Sequence, residues 1–111
     1  WHKAIEFADV IYGLTSEFPG DERFGLTNQM RRAAVSISSN IAEGSSRVSR
    51  KDFAHFIEIA VGSLFEVVSQ SCIGKRQGFL DEVNYQKIYA LAEEQSRMLS
   101  GLRRSLLETG V

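Results

Sequence analysis

The sequence predicts an all-α fold, an antiparallel up-down-up-down four-helix bundle, and three observations carry that prediction. Apolar residues recur three and four positions apart in every long segment. One proline, Pro19, stands in 111 residues, so none breaks the later helices. The gaps between periodic segments are short, which favours antiparallel neighbours. At this length the chain reads as a single domain over residues 1–111, built on one core.

The first helix is predicted over residues 2–17. Ala4, Ile5, Ala8, Ile11 and Tyr12 lie at helical spacing, with Phe7, Leu14 and Phe18 widening the face. Trp1 is expected to pack at its start. The run Phe18-Pro19-Gly20-Asp21-Glu22-Arg23 ends it, with Pro19-Gly20 as a turn signal and Asp21 placed to cap a short turn before Gly25.

The second helix is predicted over residues 26–44. Leu26, Met30, Ala33, Ala34, Ile37, Ile41 and Gly44 form one narrow stripe. Gln29, Ser36 and Asn40 flank it; Arg32, Ser39 and Glu43 lie further round; Arg31 and Ser38 occupy the opposite shoulder. Ser and Asn compete for backbone hydrogen bonds and weaken helices, so this polar face is selected for contacts rather than helicity. Gly44 is read as the stop, because glycine accepts the left-handed C-cap geometry.

The third helix is predicted over residues 50–77. Ser49 and Asp52 have the spacing of a capping box. From Phe53 to Val68 the apolar residues span an arc of about 180°, where a surface helix needs about 100°. Such a helix has two neighbourhoods to satisfy. Gly78 ends it. The fourth helix is predicted over residues 82–108, capped by Asp81 and stapled by Leu80 and Tyr85. Tyr85, Ile88, Ala92, Gln95, Leu99, Leu102 and Leu106 form its seam. Gly110 and Val111 are expected to fray.

Composition excludes several classes. Hydrophobic content of 43% is that of a globular protein. A net charge of −1 gives no global case for nucleic acid or acidic lipid. Cys72 is the only cysteine, so no internal disulfide forms and a reducing, cytoplasmic compartment is expected. No signal peptide is visible, and no apolar run approaches membrane-spanning length. The chain opens at Trp1 rather than Met, which leaves room for a short N-terminal extension.

Catalytic and metal chemistry find little material. His2 and His55 are the only histidines, and His55 between Asp52 and Glu58 falls short of a ligand set. Cys72 lacks a local base and is read as a buried structural thiol. The serines of the second helix have no histidine beside them, so no triad is expected. Gly62, Gly74 and Gly101 stand alone inside helices and are read as permitting close helix approach. Glu58 and Glu66 lie about two turns apart and would suit acid–base work, with a solvated face as the plainer reading. No catalytic residue, metal or cofactor is expected.

Charge is unevenly placed. Between Thr27 and Lys51 lie Arg31, Arg32, Arg47, Arg50 and Lys51 against Glu43 alone, while the remainder of the chain is net −5. The cations are expected to gather at the end of the bundle that carries the loop between helices two and three. Two readings stand: a solvated loop with internal ion pairs, or an anion-binding surface.

Residues 26–51 also carry a resemblance. Leu26-Thr27, Gln29, Arg31 to Ala34, Ser36-Ile37 and Ser39 to Gly44 match the pattern LTxQxRRAAxSIPSNIAEG, and a short basic loop with serines follows. The chain resembles the four-helix bundle proteins encoded in intervening sequences of bacterial 23S rRNA genes, and the accessory proteins of diversity-generating retroelements. Ser38 departs from the pattern's proline, so the helix keeps that backbone hydrogen bond. The resemblance implies the bundle and a ring-shaped homopentamer. Gln29, Arg32, Ser36, Asn40, Glu43, Phe53, Ile59 and Phe65 are the expected interface residues. The expected function is an oligomeric binding protein for RNA or DNA, through Arg31, Arg47, Arg50 and Lys51. Arg32 is reserved for an internal or interface pair. No aromatic residue interleaves the cations, so base stacking is not expected. The alternative is a scaffold that docks a protein partner, such as a reverse transcriptase.

Overall fold

Each apolar stripe closes on its neighbours as a helix. The computed structural model describes residues 1–108. Helix α1 runs His2–Thr15, α2 Leu26–Ser45, α3 Arg50–Arg76 and α4 Glu82–Leu107, with a single 3-10 turn at Gly20–Glu22. Among the described residues there is no strand. The expected fraying at Gly110 and Val111 lies outside them.

The caps follow local chemistry. Ser49 Oγ accepts from the Asp52 amide at 3.2 Å, and Asp81 Oδ1 from the Asn84 amide at 2.7 Å. Gly78, at φ +82°, ends α3. Its amide donates to Lys75 O at 3.0 Å and the Phe79 amide to Gly74 O at 2.9 Å, a Schellman closure. Phe79 then packs on Phe18, ring centroids 5.7 Å apart.

Several ends differ from expectation. Helix α1 stops at Thr15, where the backbone tightens into turns ahead of Pro19: the Glu17 amide donates to Leu14 O at 3.3 Å and the Phe18 amide to Thr15 O at 3.1 Å. Glu22, not Asp21, prepares α2: its Oε1 accepts from the Leu26 amide at 3.2 Å. Trp1 is exposed, with only its edge on the His2 ring. Gly44 is not a left-handed cap, since Gly78 alone among the described residues has positive φ and α2 continues through Ser45. It is a point of close approach instead. A Cβ there would stand 2.7 Å from Phe56 Cβ and 2.9 Å from Phe53 Cδ1. Gly74 likewise faces Phe18 and Leu26, but Gly62 and Gly101 look into open space and bring no helices of the chain together.

The helices pack as the neighbours α1–α2, α2–α3, α3–α4 and α1–α4 around one core, in a rod of 52 × 23 × 19 Å. Phe7, Ile11, Met30, Ile37, Ile57, Leu64 and Ile88 are its largest fully buried apolar residues. At 1.5 Å per residue α1 is about 21 Å long and α4 about 39 Å. The pair Lys3–Glu94, at 2.8 Å, marks the level where α1 begins. Met98 and Leu102 lie beyond it on α4 and stay exposed, which removes Leu102 from the predicted seam.

Helix α3 is more apolar than the sequence reading allowed. By length and composition alone it could cross a membrane, yet Ile57, Leu64 and Val67 face other helices of the bundle. Only 33% of its most apolar 18-residue window is buried within the chain. Ile59, Phe65 and Ile73 remain exposed.

Candidate nucleic-acid interface and the polar groove

Helices α2, α3 and α4 all end at the loop over residues 46–49, and the cations there have structural partners. Arg47 Nη2 donates to Glu43 Oε1 at 3.0 Å, and its guanidinium lies 4.8 Å from the Phe56 ring centroid. Arg50 reaches across to the end of α4, donating to Ser105 O at 2.7 Å and Leu106 O at 3.2 Å. It thereby satisfies carbonyls that the helix leaves free. Lys51 is exposed and makes no ion pair among the described residues.

Arg31 is elsewhere. It stands in the second turn of α2, about 24 Å from Arg47 at helical rise. Its Nε donates to Thr15 Oγ1 at 2.9 Å, its Nη2 to Tyr12 O at 3.3 Å, and its guanidinium lies over Tyr12. It closes the end of α1. The expected gathering of five cations at one end is therefore corrected: Arg31 and Arg32 lie towards the other end. The sequence reading missed Arg103 and Arg104, which α4 brings to the loop end. Arg103 Nε donates to Glu58 Oε1 at 2.6 Å, and Arg104 is exposed. Set against Glu43, Asp52, Glu58 and Glu108, this end is nearly balanced in charge.

Glu58 is no candidate acid. The hydrogen bond from Arg103, and then its charge, hold the Glu58 carboxyl below the usual glutamate range. His55 Nδ1 lies 3.7 Å from its other oxygen. Among the described residues no group of three or more His, Cys, Asp or Glu could hold a metal. Cys72 is half-buried rather than fully buried. Burial first, then the Cys72 sulfur, push the neighbouring Tyr85 hydroxyl upward.

The polar face of α2 lies against α3. Asn40 Nδ2 donates to Ser36 O at 2.8 Å and Ser36 Oγ at 2.9 Å, and the Ser36 and Ser63 hydroxyls hydrogen-bond to each other at 2.9 Å, either one donating. Ser36 thus fastens α2 to α3 at mid-height, and Asn40, on the same helix, holds the Ser36 hydroxyl in place. One turn along, the helices part into a polar groove of about 430 Å³. Asn28, Gln29 and Arg32 form one wall, and Ser63, Glu66 and Gln70 the other. Gln70 is 8% exposed, and its Oε1 is enclosed without a hydrogen-bond partner.

The expected interface residues do not share one face. Gln29, Arg32 and Ser36 line the groove. Glu43 is paired with Arg47, and Phe53 is half-buried against Gly44. Phe65 lies on the other side of α3, beside Tyr89 and Ala92 of α4. Ser63 and Gln70 were missed, although their spacing from Glu66 on one helical face could have found them.

The family model of the 23S rRNA-intervening sequence protein matches residues 1–101. The chain belongs to that family. No curated protein matches this family member. Among solved structures it is similar to a protein of unknown function from the S23 ribosomal protein family of Bacteroides thetaiotaomicron VPI-5482. The two are 25% identical with a TM-score of 0.82, over 92% of this chain and 95% of that one.

Proposed function

We propose that this intervening-sequence protein is a non-enzymatic, self-associating bundle that binds RNA or another nucleic acid at its loop end. The observation that carries self-association is the apolar surface of α3, where Ile59, Phe65 and Ile73 stay exposed. Exposed apolar surface of this kind marks a contact, and closed symmetry is the usual way to cover it. A ring of five is the form the resemblance implies. A ring would repeat the loop end, and repetition raises avidity without new contacts.

Lys51 and Arg104 are the cations left for phosphate, with Arg47 and Arg50 able to add to them while keeping their structural partners. Binding of this kind is sequence-independent and falls steeply with salt. A salt titration on structured RNA tests it. Retention at low salt, weakened in Lys51→Ala/Arg104→Ala, supports the reading. No binding at about 50 mM salt, where phosphate contacts are strong, overturns it. The second reading, a scaffold that docks a protein such as a reverse transcriptase, is favoured by the near balance of charge at that end.

A further inference from the structure

Helix α4 carries a polar residue where its seam calls for an apolar one. Gln95 stands between Ala92 and Leu99 at helical spacing, and it is only 5% exposed. Its Nε2 donates to Leu91 O, one turn back on the same helix, over a long 3.4 Å. That bond turns the other end of the amide away from the α4 backbone. Oε1 accepts from no donor among the described residues and, unlike Gln70 Oε1, it is not enclosed. Buried polar groups in native proteins have partners, so this oxygen is short of a donor.

Gln95 lines a cavity of about 200 Å³ between α1 and α4. Phe7, Val10 and Leu91 give that cavity apolar walls. The Lys3–Glu94 pair, at 2.8 Å, ties the two helices together at the Gln95 end. The charges around it are Lys3 and Lys87 against Glu6 and Glu94, so the rim carries no net charge. An apolar protein cavity of about 150 Å³ takes benzene. This one therefore has room for one ring or two fused rings. Ligand sites are built in this way, with mostly apolar walls and a few placed polar groups.

The geometry points to a binding site for a small aromatic compound without net charge that carries one N–H or O–H donor, of the indole or phenol type. The ring fills the space between Phe7, Val10 and Leu91, and its donor meets Gln95 Oε1. Removing the ring from water supplies the driving force. The hydrogen bond supplies the selectivity, because a ring without a donor leaves the Gln95 oxygen unmet. A net anion or cation gains nothing from a rim of balanced charge. The site lies on the α1–α4 seam, so it depends neither on the loop end nor on self-association.

Calorimetry and saturation-transfer NMR on the full chain test it, with indole and benzofuran as probes. Benzofuran has the shape of indole with an oxygen in place of the N–H. Indole is expected to bind with a Kd of about 0.1–1 mM, as suits a ligand of this size. Benzofuran should bind about five- to tenfold more weakly. Gln95→Met keeps the side-chain length and removes the acceptor, so it should bind the two probes equally. Val10→Phe fills the cavity from its half-buried wall and should abolish binding of both. Thermal melts confirm that the variants stay folded, and Val10→Phe decides the matter if Gln95→Met does not. L-Tryptophan separates the two sources of such a ring: it binds more tightly than indole if the amino acid is the ligand, with Glu6 and Lys87 meeting its charges, and more weakly if the free compound is. No indole binding at several millimolar, equal affinity for indole and benzofuran in the wild type, a preference that survives Gln95→Met, or binding that survives Val10→Phe overturns the site.

Discussion

Replacing Gly44 by Ala tests whether that residue ends a helix or lets two helices touch. The added Cβ would sit 2.7 Å from Phe56 Cβ and 2.9 Å from Phe53 Cδ1. Carbon atoms prefer about 3.5–4.0 Å. The Phe53 ring can rotate away, but Phe56 Cβ is fixed to the α3 backbone. Helices α2 and α3 must therefore separate by nearly an ångström where the core closes. Overpacking of this kind costs about 1–3 kcal/mol. Alanine returns about 0.5–1 kcal/mol of helix propensity, so the net loss is about 1–2 kcal/mol. For a domain of this size that lowers the melting temperature by about 4–10 °C. Gly62→Ala is the control, since nothing lies within 4 Å of its added Cβ. It should gain about 0.5–1 kcal/mol from propensity alone. Calorimetry on both variants decides the matter. If Gly44→Ala melts at or above the wild-type temperature, the close-approach account is wrong.

Arg50→Ala should loosen the last turn of α4 by about 1 kcal/mol, because the Ser105 and Leu106 carbonyls lose their donor. Faster amide exchange confined to that turn checks it, and no change there refutes the capping role. Leu64→Ala removes a side chain with no exposed surface and should cost about 2–5 kcal/mol in urea denaturation. The ion pairs predict a plateau in stability against pH. Hydrogen bonds and charge from Arg103 and Lys3 lower the Glu58 and Glu94 carboxyls, so their contribution is present above the ordinary glutamate value of 4.5 and is lost as pH falls below it. Glu94 and Glu82 raise Lys3 and Lys75, whose contribution is present below 10.5 and is lost above it. Denaturation midpoints across pH check both edges, and stability that rises on acidification would count against these pairs.

The sequence by itself determined the elements. All four helices, the caps at Ser49 and Asp81 and the stop at Gly78 were legible, because capping and amphipathic period depend on residues within a turn or two of each other. The same locality explains the errors. Charge counted along residues 27–51 placed Arg31 with Arg47, but a helix carries its first and last turns about 24 Å apart, and Arg31 turned to α1. Arg50 found carbonyls 55 and 56 residues away, and Arg103 found Glu58. Gly44 had a cap's composition and a packing residue's surroundings. The groove that sets Arg32 opposite Glu66 exists only because α2 and α3 lie antiparallel in one register. Tertiary structure decided these meetings, because periodicity fixes which face of a helix is buried, whereas the height at which two faces meet is set by packing between them.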